Sequence, residues 1–128
     1  MTVIVLDASA ALWALRAAGQ SRRLVRDDDV HAPHLIDCEL AQTFRKLEPR
    51  TFSAEEAARM LEGWMRYGVS RHSVVGLLPR IWQLRANLTA YDAAYVALAE
   101  ALDCPLLTAD RHLAGAPGVR ATVITVTS

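Results

Sequence analysis

Residues 89–113 read TAYDAAYVALAEALDCPLLTADRHL. Thr89 has the side chain of a helix N-cap. Ala90 to Leu102 then forms a helix whose Ala93, Ala94, Val96, Ala97, Ala99 and Ala101 are small enough for close packing. Asp103 closes that helix. Pro105, Leu106, Leu107 and Thr108 make a short, continuous apolar run of the kind buried on both faces of a parallel sheet, and Asp110 opens another short helix. Helix, buried strand and helix in direct succession describe a crossover unit rather than a hairpin.

The N-terminus repeats the pattern. Val3, Ile4, Val5 and Leu6 form a β-branched run suited to a central parallel strand, Asp7 ends it, and a helix is expected from Ala8 to Ala17, stopped by Gly19. Ser21 to Val25 reads as a further helical turn. Asp27, Asp28 and Asp29 read as a solvated acidic loop, Val30 to Ala32 as a second strand, and Pro33 as the start of the next helix. Ser53 and Glu56 form a capping box before an apolar stripe of Ala57, Met60, Leu61, Trp64 and Met65, read as core, and Gly68 ends that helix. Val69 to Val75 is expected as a strand. Gly76 and Pro79 precede a helix with Leu78, Ile81, Trp82 and Leu84, capped by a left-handed Asn87, and Ala121 to Val126 is the last strand. Strands alternating with helices, without hairpin signals, give an α/β three-layer sandwich with a central, mostly parallel sheet flanked by helices.

At 128 residues with 52% hydrophobic composition, the chain is expected to form a single domain, residues 1–128, able to bury a sizeable core without disulfide or metal staples. No apolar stretch is long enough to cross a membrane and the N-terminus has no signal-peptide layout, so a cytoplasmic protein is expected. The two cysteines, Cys38 and Cys104, read as reduced core thiols. A formal net charge of zero excludes a general nucleic-acid coat protein. Any RNA contact is therefore local, and Arg22, Arg23 and Arg26, or Arg45, Lys46 and Arg50, are candidate phosphate tracks. His31, His34, His72 and His112 lack zinc-site spacing, and Trp13, Trp64 and Trp82 read as packing residues rather than base-stacking ones.

The acids carry the chemistry. Asp7, Asp92 and Asp110 each lie where a strand or turn gives way to a helix, while Glu39 sits inside the helix of PHLIDCELAQTF, residues 33–44, facing either inward or outward. Open α/β folds bind ligands beyond the C-terminal strand ends, so acids at such junctions can converge. Taken alone, Asp7, Asp92 and Asp110 each have a capping role available. Together, carboxylates in one pocket repel unless cations neutralise them, and Mg2+ or Mn2+ prefers such oxygens. A cation held this way activates water against a phosphodiester.

VIVLDASA (residues 3–10), PHLIDCELAQTFRKL (33–47) and the D-A-x-Y-x-A-L-A-E and P-L-x-T-x-D patterns of residues 92–110 resemble the PIN-domain ribonucleases, especially the VapC-type toxins of toxin-antitoxin pairs. The resemblance implies that Asp7, Glu39, Asp92 and Asp110 form the catalytic, metal-binding quartet, with Ser9 and Thr108 as supporting hydroxyls. It also implies Mg2+- or Mn2+-dependent endonucleolytic cleavage of RNA, inhibition by a small antitoxin protein, and a homodimer. The first two helices and the Trp64 helix are the expected antitoxin surface, and Arg111 and His112 are candidate RNA contacts. Gln42 departs from the asparagine common three residues after the glutamate. The alternatives are a PIN nuclease of RNA processing or decay without an antitoxin, and a non-catalytic RNA-binding domain. A phosphorylatable receiver is disfavoured, since the only lysine, Lys46, sits in a helix-like segment.

Overall fold

The computed structural model describes residues 2–16 and 26–126. The strands are β1 (Val3–Leu6), β2 (Asp29–Pro33), β3 (Ser70–His72), β4 (Leu106–Thr108) and β5 (Val123–Thr125). The helices are α1 (Ala8–Arg16), α2 (Ile36–Leu47), α3 (Ala54–Arg66), α4 (Leu78–Gln83), α5 (Ala90–Leu102) and α6 (Arg111–Ala114), with a 3-10 turn at Val75–Leu77. The strands form one five-stranded sheet in the order β3-β2-β1-β4-β5, and every pairing is parallel. β1 is central. Its consecutive residues Ile4, Val5 and Leu6 are all buried, which requires cover on both sheet faces.

The strand order fixes where a ligand crevice lies. From β1 the chain builds outward through β2 and β3, then crosses back through α5 to place β4 and β5 on the other side of β1. The direction reverses between β1 and β4, and in open parallel sheets the crevice at such a reversal, beyond the C-terminal strand ends, is where ligands bind. Asp7 follows β1 directly, and Thr108 ends β4.

α5 spans that crossover. Ala93 through Ala99 are all buried, so the helix is covered nearly all round, in contact with β1, β2, β4 and α4. Its alanines let it lie close to the sheet. The Thr89 hydroxyl accepts the Asp92 amide at 3.2 Å, the N-cap read from sequence. Asp103 closes the helix in the left-handed conformation, φ 50° and ψ 53°, and the Cys104 N–H reaches back to the Ala99 carbonyl at 3.0 Å. The capping box of α3 is complete, with Ser53 and Glu56 exchanging side-chain to backbone bonds of 3.1 Å.

Several sequence expectations are corrected. Pro33 ends β2 instead of starting a helix: it pairs with His72 across the sheet, and α2 begins only at Ile36. Asp29 belongs to β2, opposite Val3, rather than to an acidic loop. β3 is only three residues long, because the chain turns into the 3-10 segment at Val75. Asn87 is not left-handed; among the described residues other than glycine only Asp103 has positive φ. Cys38 is exposed on α2 rather than a core thiol. Trp82 and Met65 are 66% and 77% exposed, so neither is a core residue, whereas Trp64 is buried. Gly19 and the helical turn expected at Ser21 to Val25 lie outside the described residues.

Candidate active site

Asp7 is buried, 7% exposed, at the end of β1. A buried carboxylate needs donors, and this one has them. Its Oδ1 accepts from Ser9 Oγ at 2.6 Å and from the Ala10 N–H at 3.0 Å, and its Oδ2 accepts from the Thr108 hydroxyl. The Ala10 bond is a helix N-cap, so the local turn from strand to helix sets Asp7's direction. Ser9 Oγ also accepts the Ala109 N–H at 2.8 Å, and Thr108 Oγ1 accepts the Asp110 N–H at 3.0 Å. Ser9 and Thr108 therefore stitch the ends of β1 and β4 together across the reversal point. Asp110, exposed beyond β4, caps α6 by accepting the His112 N–H at 2.9 Å.

Glu39 comes from α2 and is half-buried, which settles its direction as inward. Its Oε1 accepts from the hydroxyl of Tyr95 at 2.6 Å. Tyr95 is buried on α5, three residues after Asp92 and so on the same helix face. Tyr95 is a site residue that sequence reading did not single out, although its spacing from Asp92 is the signal that points to it.

The acids face one another electrostatically. Burial pushes Asp7 above the ordinary carboxylate range, with Asp110's charge adding to the effect against the lowering bonds from Ser9, Thr108 and Ala10. Burial also raises Glu39, helped by Asp92 and Asp7, and raises Asp92, helped by Asp7 and Asp110. Carboxylates from four distant stretches of sequence are thus in mutual repulsion at one end of the sheet. Burial and the bond to Glu39 hold Tyr95 in its protonated, donating form.

Among the described residues, no three Asp, Glu, His or Cys side chains stand close enough as placed to hold a metal ion between them. Mg2+ does not require such a cage: it keeps several waters and takes one or two carboxylates together with substrate phosphate. The donor set is all oxygen and strongly anionic, which fits Mg2+ or Mn2+ and does not fit a soft metal. The histidines lie apart, with His31 Nδ1 and His72 Nε2 2.8 Å from each other on β2 and β3 and His112 exposed on α6.

Beside Glu39, a groove of about 360 Å³ runs along α2 past Gln42 and Lys46, with Tyr91 on its other side. A larger cleft, about 620 Å³, lies away from the acids between α1 and α3, floored by Leu15, Phe52, Met60 and Tyr67.

An open parallel sheet with acids at the reversal point between β1 and β4 defines an α/β protein with a carboxylate-lined ligand crevice. The PIN domain family profile matches residues 4–119. Ribonuclease VapC9 of Mycobacterium tuberculosis is 54% identical over 112 residues, covering 87% of this chain and 88% of that protein. Ribonuclease VapC1 of the same organism is 42% identical over 126 residues, covering 93% and 94%. The chain belongs to the PIN-domain family, as a VapC-type ribonuclease. Among solved structures, VapBC2 from Rickettsia felis bound to a DNA fragment superposes with a TM-score of 0.70 at 14% identity, covering 98% of this chain and 100% of that one. VapC20 of Mycobacterium tuberculosis, a Sarcin-Ricin loop cleaving toxin, superposes at 0.64 and 16% identity, covering 98% and 99%. These two likenesses bear on the fold.

Proposed function

We propose that the chain is the endoribonuclease toxin of a toxin-antitoxin pair, with Asp7, Glu39, Asp92 and Asp110 holding Mg2+ or Mn2+ at the reversal point between β1 and β4. The observation that carries this reading is that acids from four segments of the chain are brought to one end of the sheet, with Ser9 and Thr108 holding Asp7, Thr108 holding the Asp110 N–H, and Tyr95, one turn from Asp92, holding Glu39. Assembling them costs stability, and a bound cation offsets that cost. When bound, the cation supplies Lewis-acid activation of water and neutralises charge that builds on the scissile phosphate.

The chain's own residues do the positioning. Ser9, Thr108 and the Ala10 amide hold Asp7 in one orientation at the end of β1. Tyr95 orients Glu39 from the opposite helix. Asp92 and Asp110, less constrained, complete the acidic rim, and residues 1–128 act as one nuclease domain.

Kinship with the VapC ribonucleases supports a small protein antitoxin as partner. The cleft between α1 and α3 suits it, with an apolar floor and Arg16, Arg59 and Arg66 around it. The protein works as a homodimer in the cytoplasm. Among the described residues no helix is long and apolar enough to cross a membrane.

The test is cleavage of total and structured RNA by purified, partner-free protein with Mg2+ or Mn2+, against EDTA and Asp7→Asn. Discrete fragments that vanish with chelator and with the substitution are the expected result. Metal-loaded protein that binds these RNAs but cuts none overturns the catalytic reading in favour of an RNA-binding module.

A further inference from the structure

Four carboxylates at one site repel a polyanion, so RNA has to be held by groups beside the acids rather than among them. The chain's zero net charge provides no general attraction. The groove along α2 begins at Ala8 and Glu39, inside the acid cluster, and leads to Lys46. Glu39, Gln42 and Lys46 recur at intervals of three and four residues and share one face of α2. Seven residues of helix carry Lys46 about 10 Å from Glu39, displaced from the scissile group along the path of the same strand. Lys46 is exposed, is the chain's only lysine, and forms no ion pair among the described residues. Of the three basic residues in the sequence track Arg45, Lys46 and Arg50, Lys46 is the one that lines the groove.

The opposite wall is Tyr91, in the first turn of α5 and directly before Asp92. It is 61% exposed, so core packing does not account for it. A cation and a free aromatic face on the two sides of a groove that opens into a cleavage site are the two elements of single-strand nucleic-acid binding: charge for the backbone and a stacking platform for a base.

We infer that this groove holds the single-stranded RNA flanking the scissile phosphate, with Lys46 paired to a neighbouring phosphate and Tyr91 stacked on a base. The inference rests on the nuclease reading above and assigns its substrate track. Tyr91 and Lys46 are binding and specificity residues, and the chemistry stays with the acids.

The test uses short single-stranded RNAs, offered first to the wild-type chain to find one that it cuts. Affinity is read by fluorescence anisotropy in the Asp7→Asn background with Mg2+, and kcat and KM are read in the active chain. Tyr91→Ala is expected to weaken binding about tenfold and to raise KM with little change in kcat, while Tyr91→Phe keeps the platform and restores both. Lys46→Ala is expected to lower the salt dependence of binding by about 0.7 in log–log slope, and Lys46→Arg to restore it. Both residues are exposed, so neither substitution disturbs the core. If the wild type cuts RNA and Tyr91→Ala and Lys46→Ala match it in affinity, KM and salt slope, the groove assignment is overturned while the nuclease reading stands. If the wild type cuts nothing but binds RNA through Tyr91 and Lys46, the groove stands and the nuclease reading falls. Protein that neither binds nor cuts single-stranded RNA overturns both.

Discussion

The Thr108 hydroxyl donates to Asp7 and accepts the N–H of Asp110, so one buried oxygen at the end of β4 orients two acids of the site at once. Thr108→Val keeps the shape and removes both bonds. It leaves a buried carboxylate short of a donor and a backbone N–H short of an acceptor, at a cost of about 1–3 kcal/mol in stability. Loss of the Thr108 bond also lets Asp7, already raised by burial, rise further. The acidic limb of the pH–rate profile is therefore expected to move to higher pH. Thr108→Ser should restore most of both effects, checked by urea unfolding and by the profile itself.

Tyr95→Phe removes only the hydroxyl that holds Glu39. The ring stays packed, and the half-exposed Glu39 finds water in place of its lost donor, so folding is barely altered. Without that bond Glu39's orientation loosens and its pKa climbs, since burial and the charges of Asp92 and Asp7 are then less opposed. Loss of an orienting partner of this kind costs about 10–100-fold in metal affinity or activity. Mn2+ titration by calorimetry across pH is the measurement: weaker binding is expected, with the deficit largest at low pH. Unchanged Mn2+ affinity would remove Tyr95 from the site.

These two residues also mark how far the sequence reaches. Asp7, Asp92 and Asp110 are legible because each sits at a local boundary, and caps at such boundaries depend on neighbouring residues alone. Glu39 is different: sequence leaves it facing in or out, and its direction is set by Tyr95, 56 residues away on another helix. The parallel sheet was readable from buried apolar runs, but strand ends were not, because pairing decides them. Pro33 stays in β2 because β3 pairs with it, and the pairing expected over Val69 to Val75 stops where the chain turns at Val75. Cys38, Met65 and Trp82 are exposed because apolar character does not by itself bury a residue: a helix face without a neighbour stays exposed whatever its residues.

Asp37 is a structural acid outside the cluster. It accepts from Arg71 Nε and Nη2 at 2.7 and 2.9 Å and from Trp64 Nε1 at 2.8 Å, tying α2 to β3 and α3. The Arg71 guanidinium holds its carboxyl below the ordinary value, so its stabilising contribution is present above about pH 4 and is lost as pH falls through the depressed value. Both partners are partly solvated, so the pair is screened and Arg71→Ala is expected to cost only about 1 kcal/mol. Thermal melts should show that small loss, with kcat unaffected because, among the described residues, Arg71 bonds only Asp37 and the Val69 carbonyl and none of the four acids.

The acid cluster makes the opposite prediction for pH. Asp92 is raised on folding, so between its unfolded and folded values the native state binds more protons than the unfolded state, and stability falls as pH climbs through that window. Asn cannot titrate. The melting temperature of Asp92→Asn relative to wild type, measured in EDTA, is therefore expected to increase as pH climbs above about 4, as the wild type comes to bear the full repulsion from Asp7 and Asp110. Adding Mg2+ or Mn2+ at neutral pH should reverse the order, because a ligand that binds only the native state stabilises in proportion to its affinity and the variant has lost part of the site. A variant that gains nothing in EDTA and keeps the full metal-induced shift would show that Asp92 neither bears the repulsion nor holds the ion.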